Sequence, residues 1–138
     1  MEKLPNNVLM NTDSLHKKLK RLVLDKLPNT RLIYLFGSFA NGSAGHHSDI
    51  DIAIMTEHKL EPIARWKVQS ALANELNVDV DLVDLLSAST VMQHQVLTQG
   101  VCLFDKAHYH DKYIMQVMSM YQHLNAERVD ILRRVQGS

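Results

Sequence analysis

Apolar residues recur along this chain in two rhythms, every third or fourth position in some stretches and every second in others, and together they set out a series of helices and strands. After a polar lead-in over residues 1 to 12, Leu15, Leu19, Leu22, Val23 and Leu27 keep helical spacing from Asp13 onward, until Pro28 and Asn29 stop the helix. Arg31 to Phe36 predicts a short buried strand and Asp49 to Met55 a second, joined by a turn and loop of glycines and serines over 37 to 48. Leu60, Ala64, Val68, Ala71, Leu72 and Leu76 mark another amphipathic helix, with Pro62 tolerated in its first turn. Trp66 falls off that stripe and is expected to pack in part against a neighbouring loop. Val78 to Leu85 predicts a third strand, Ser87 to Gln99 a helix closed by Gly100 as a left-handed cap, and residues 101 to 104 a fourth strand.

The stretch from Lys106 to Val135 holds no Gly or Pro and repeats apolar residues at Ile114, Val117, Tyr121, Leu124, Ile131 and Val135. A continuous helix of that length runs about 45 Å, longer than the roughly 35 to 40 Å diameter of such a domain. Two outcomes stay open. Either part of it protrudes, with Met118, Met120, Val129 and Leu132 giving a second apolar stripe for an interface, or it bends at Asn125 and folds back.

Composition narrows the setting. At 138 residues and 46% hydrophobic content the chain is expected to be one domain with a genuine core, its main body at about 13 to 104 and a helical segment at about 106 to 135. Fifteen basic and fifteen acidic residues cancel, so no overall field draws nucleic acid or an anionic membrane, and any phosphate-binding charge has to be local. Lys17, Lys18, Lys20 and Arg21 read as a solvated helix face, because no aromatic residues interleave them. The single Cys102 lies in an apolar run and reads as a buried core thiol. No basic segment followed by an apolar stretch opens the chain, and no run nears the roughly eighteen apolar residues of a membrane span, so a cytoplasmic protein is expected.

The chemistry resides in Gly37-Ser38 and, ten residues later, Asp49-Ile50-Asp51. Strand periodicity places Asp49, Asp51 and Ala53 on one face and Ile50, Ile52 and Ile54 on the other, with the two acidic Cα atoms roughly 6 to 7 Å apart. Two carboxylates so placed can grip the same pair of cations. A hard ion such as Mg²⁺ takes oxygen ligands from a few carboxylates and from phosphate, and two of them clamp both oxygens of an in-line displacement. Gly37 lets backbone approach a phosphate, and a helix starting near Ser38 turns its free N–H groups toward the anion. On the third strand Asp79, Asp81 and Val83 share a face opposite Val80, Leu82 and Asp84, so Asp81 can complete a carboxylate triad as general base or metal ligand. His46 and His47 read as an exposed loop rather than a transition-metal site, although they lie within the same motif. His108 and His110, near Tyr109 and Tyr113, read as the start of the last helix.

Leu35-Phe-Gly-Ser-Phe-Ala-Asn-Gly-Ser-Ala44, Ser48-Asp-Ile-Asp-Ile52 and Val80-Asp-Leu-Val-Asp-Leu85 together resemble the minimal nucleotidyltransferase family of the DNA polymerase beta superfamily, over residues 30 to 104. The resemblance implies an α/β (α+β) nucleotidyltransferase fold, a small mixed β-sheet packed against helices. It implies that Gly37, Ser38 and Ser48 bind the nucleotide, and that Asp49, Asp51 and Asp81 are the catalytic, metal-binding acids, holding two Mg²⁺ ions. Asp79 is the rival for the third acid, and Asp84 points away as a structural residue. Minimal members lack an acceptor-binding domain, and many are antitoxins that transfer AMP from ATP onto a tyrosine of a HEPN ribonuclease toxin. Such a partner, in a hetero-oligomer, is therefore implied here, with neither nucleic acid nor membrane. A binding antitoxin without catalysis and a small-molecule transferase are the alternatives. One departure stands out: many relatives carry Arg or Lys after Gly-Ser, where this chain has Phe39, Ala40 and Asn41.

Overall fold

A small sheet with two apolar faces needs helices on both of them, and that requirement sets the architecture. The computed structural model describes residues 12–42, 44–45 and 48–137; the lead-in over residues 1–11 and the His46-His47 pair lie outside the described residues. The elements are α1 (Thr12–Lys26), β1 (Thr30–Phe36), a short α2 (Ser38–Asn41), β2 (Ile50–Thr56), α3 (Pro62–Leu76), β3 (Val80–Asp84), α4 (Thr90–Gln99), β4 (Val101–Asp105), a 3₁₀ turn (Lys106–His108) and α5 (His110–Gln136). The sheet is mixed, in the order β3-β2-β1-β4. Its β1 runs antiparallel to both β2 and β4, and β2 parallel to β3. A parallel pair needs a long crossover, and α3 supplies it.

Alternation along the strands divides the core. Ile33 and Leu35 of β1, Ile50, Ile52 and Ile54 of β2, and Val80 and Leu82 of β3 meet Leu15, Leu19 and Val23 of α1 and Leu72 and Leu76 of α3. Leu32, Tyr34, Phe36, Ala53, Met55 and Leu85 face the other way, onto Val96 of α4 and Tyr113 and Val117 of α5. Each large side chain buried this way contributes about 1.5 to 3 kcal/mol. The isoleucines of β2 therefore lie opposite Ala53, as their spacing predicts.

The outer strand β3 has an open edge, which in a free sheet invites pairing with another chain. Here α3 covers it. Gln69 Oε1 accepts from the Leu82 amide at 2.8 Å, and Arg65 donates to the Leu82 carbonyl at 3.0 Å.

Three expectations are corrected. Ala64 is exposed, so the buried stripe of α3 narrows to its second half, while Trp66, off that stripe, is 59% exposed. Gly100 has φ −92° and ψ 168°, an extended rather than left-handed residue. Its glycine answers to space: a Cβ there would collide with the Val96 carbonyl oxygen and lie 3.1 Å from that of Leu35. Cys102 is half-buried, its thiol donating to the Phe104 carbonyl at 3.5 Å; burial, then the Asp105 charge, pushes that thiol above its ordinary pKa.

Helix α5 is continuous over 27 residues, about 40 Å. Asp105 caps its start, its Oδ1 accepting from the amides of Tyr109 (2.7 Å) and His110 (3.1 Å) across the left-handed residues Ala107 and His108. Only Tyr113 and Val117 are buried, and every residue from Ala126 to Gly137 is exposed. The helix projects beyond the sheet and does not fold back at Asn125. Among the described residues no helix is long and apolar enough to cross a membrane.

Candidate active site

Where β1 ends, Phe36 pairs with Asp51 of β2, and the chain must turn away without covering that acid. Gly37 makes the turn at φ 72° and ψ −154°, and α2 begins at Ser38. A Cβ on Gly37 would fall onto the Asp51 carboxylate, its Cγ included at 3.1 Å. Glycine is thus required twice, by the positive φ and by the backbone's approach to the acid. Phe39 turns inward and is buried beside α1 and α3, with Ala40 packed against the same cluster. Position 39 is therefore a core anchor.

The following loop closes on itself. Gly45 donates to Ser48 Oγ at 2.8 Å and accepts from the Ser48 amide at 3.2 Å. Ser48 therefore shapes the loop that leads to Asp49. The Ile50 amide donates to the Asp79 carbonyl at 2.9 Å, bringing the starts of β2 and β3 together.

In the parallel ladder Asp51 stands opposite Asp81, and Ala53 opposite Val83, so the two acids face the same side of the sheet on adjacent strands about 4.8 Å apart. Asp51 is half-buried, whereas Asp49 and Asp81 are exposed. Burial raises the Asp51 carboxyl above the usual range, and the charges of Asp81 and then Asp49 raise it further. The charges acting on Asp51 are those of Asp81 and Asp49, and the backbone carbonyl of Asp79 is held by the Ile50 amide. Among the described residues, no three His, Cys, Asp or Glu side chains stand close enough to hold a metal ion as they are. The donor set still suits a hard divalent cation: it is all carboxylate oxygen, and its inner member carries a charge that burial and two neighbours oppose.

The other acid of β3 is structural, as its phase predicts. Asp84 is 4% exposed and accepts from the Leu60 amide (2.9 Å), the Leu86 amide (3.1 Å) and Ser87 Oγ (3.1 Å). His110 begins α5, its Nδ1 2.6 Å from the Tyr34 hydroxyl. Burial raises the pKa of the Tyr34 phenol and keeps it neutral.

Beyond Asp81 an open cleft of about 470 Å³ runs along β3, bounded by the first turns of α3 and by residues 87–89 and Met92 of the next helix. Sequence reasoning missed this cleft and its cation, Arg65. Arg65 carries no local signature, lying on a helix whose pattern reports only its buried side.

The sequence profile of the family described as Polymerase beta, Nucleotidyltransferase matches residues 17–109. Protein adenylyltransferase MntA of Shewanella oneidensis is 46% identical over 121 residues, spanning 88% of this chain and 87% of that protein. A crystal structure of a toxin-antitoxin with AMP-PNP contains a chain 45% identical to this one, with a TM-score of 0.80 over 88% of this chain and 98% of the other. In a second structure, tri-AMPylated Shewanella oneidensis HEPN toxin in complex with MNT antitoxin, the matching chain is 44% identical, with a TM-score of 0.72 over 88% of this chain and 96% of its own.

Proposed function

The chain belongs to the polymerase beta nucleotidyltransferase family, and from that premise we propose that it is an antitoxin enzyme moving AMP from ATP onto a tyrosine hydroxyl of a HEPN ribonuclease toxin. The observation that carries this is the ladder pairing of Asp51 with Asp81, with Gly37 lying bare against Asp51. Relatives that include a protein adenylyltransferase and an antitoxin bound to an AMPylated toxin support the same reading. Toxin and antitoxin form a hetero-oligomer in the cytoplasm, where ATP is abundant. The transferase parts occupy one unit at about 13 to 104, with the segment at about 106 to 135 attached to it.

Gly37 and Ser38 receive the phosphates on backbone N–H groups at the start of α2, and the Ser48 loop borders them. Asp49, Asp51 and Asp81 would hold two Mg²⁺ ions, which when bound neutralise the triphosphate and favour an in-line displacement. The tyrosine oxygen bonds to the α-phosphorus, the bond from that phosphorus to the β-phosphate oxygen breaks, and pyrophosphate leaves. Asp81, exposed and farthest from the glycine turn, accepts the hydroxyl proton. Asp51 bears the densest negative field, so it gains most from a cation.

Labelled ATP, Mg²⁺ and the HEPN toxin, incubated with the chain, should yield labelled toxin, and Asp49→Asn/Asp51→Asn should abolish the transfer. Undiminished labelling by that double variant would refute the assignment. The exposed apolar residues of α5 favour a second reading, restraint of the toxin by binding alone. In that case the double variant would still neutralise the toxin, and a chain cut after Asn125 would not.

A further inference from the structure

We propose that the cleft beside Asp81 seats the polypeptide segment that presents the acceptor hydroxyl, with Arg65 fixing its position; the inference rests on the transferase reading above. An in-line displacement places the incoming oxygen and the departing pyrophosphate on opposite sides of the α-phosphorus. The phosphate-binding turn at Gly37 lies against Asp51, at the β1 side of β2. Passing outward from Gly37 across Asp51 leads to Asp81, and past β3 the sheet has no further strand. Beyond that edge lies the cleft, which has Asp81 in its wall. The hydroxyl therefore arrives from the β3 side, through this opening.

The walls define what fits. Leu60, Val83 and Met92 offer an apolar lining suited to an aromatic side chain, and about 470 Å³ lies within the range of specific binding pockets. Asp84 is already engaged by three donors. Arg65 spends one nitrogen on the Leu82 carbonyl, and no carboxylate among the described residues pairs with it. Its remaining donors match an acidic side chain or free carbonyls beside the acceptor residue. Because Gln69 and Arg65 already occupy the backbone groups of Leu82, the segment does not join the sheet as a fifth strand. It is held by its side chains.

The test fills the cleft from its rim. Ala88→Trp and, separately, Ser87→Tyr would be assayed with the Shewanella oneidensis HEPN toxin as acceptor, and Mg²⁺-ATP affinity would be measured by calorimetry on the same samples. The expected result is a KM for toxin raised about tenfold or more with ATP affinity unchanged, which also shows that the variants are folded. Toxin KM unchanged in both variants would overturn the proposal and leave the transferase assignment intact. Lost ATP affinity in a folded variant would make the cleft a nucleotide pocket and overturn it equally. Absence of transfer by the wild-type chain would instead defeat the transferase reading, and this inference with it.

Discussion

Gln69 takes the amide proton of Leu82 at 2.8 Å, so that a side chain from the crossover helix substitutes for a missing neighbouring strand. Replacing it with leucine would leave that amide without its acceptor beneath the helix. Gln69→Leu is expected to cost about 1 to 3 kcal/mol, read from the denaturant midpoint. A change within experimental error would mean that water serves the edge equally well.

Gly37→Ala tests the turn. The added methyl meets the Asp51 carboxylate and holds a side chain at φ 72°, a backbone penalty of about 1 to 2 kcal/mol. Because the acid has to move, AMP transfer should fall by about 10²-fold, well beyond what the small loss of thermal stability explains. Steady-state labelling of toxin alongside a melting curve separates the two effects.

The crowding around Asp51 predicts a pH dependence. An acid whose pKa is raised on folding holds its proton more tightly in the native state, so stability is greatest at low pH and declines as pH rises from the ordinary value of 3.8 through the raised one. In metal-free buffer Asp51→Asn should therefore melt higher than wild type at neutral pH, with the difference closing toward acid. Added Mg²⁺ should raise the wild type more than the variant. Parallel melting profiles for the two proteins would contradict the mutual repulsion of these carboxylates.

Residues 126 to 137 contribute no buried side chain. A chain ending at Asn125 should fold with its stability changed by no more than about 0.5 kcal/mol and bind Mg²⁺-ATP as before, both measurable on the purified fragment. A large loss of stability would place the end of α5 within the cooperative unit.

How far these features could be read in advance depended on whether the cause was local. Asp49 and Asp51 alternate with isoleucines that have to be buried, so their common face was fixed by strand geometry, and the phase of β3 likewise separated Asp81 from Asp84. Arg65 and Met92 offered no such clue, since their proximity to Asp81 depends on how two helices pack around the sheet edge. Gly100 was legible as a special position but not for its full reason, because besides the nearby Val96 carbonyl it avoids that of Leu35, distant in sequence. Phe39 stands in the sequence only as part of an uncharged loop, and its burial makes it an anchor. For α5 the apolar pattern continues unchanged past the place where the sheet ends, so spacing could not say where contact stops.

Asp51 and Asp81 are matched by the ladder between two strands that run the same way, while the chain joining them goes out through an exposed stretch at Glu57–Lys59 and back through α3. The length of that outbound stretch and the alignment of the acids are therefore separate matters. Residues spliced in near His58 would lengthen the detour and leave the carboxylates level, whereas a single residue inserted within either strand would send one of them into the core and an aliphatic side chain to the solvent.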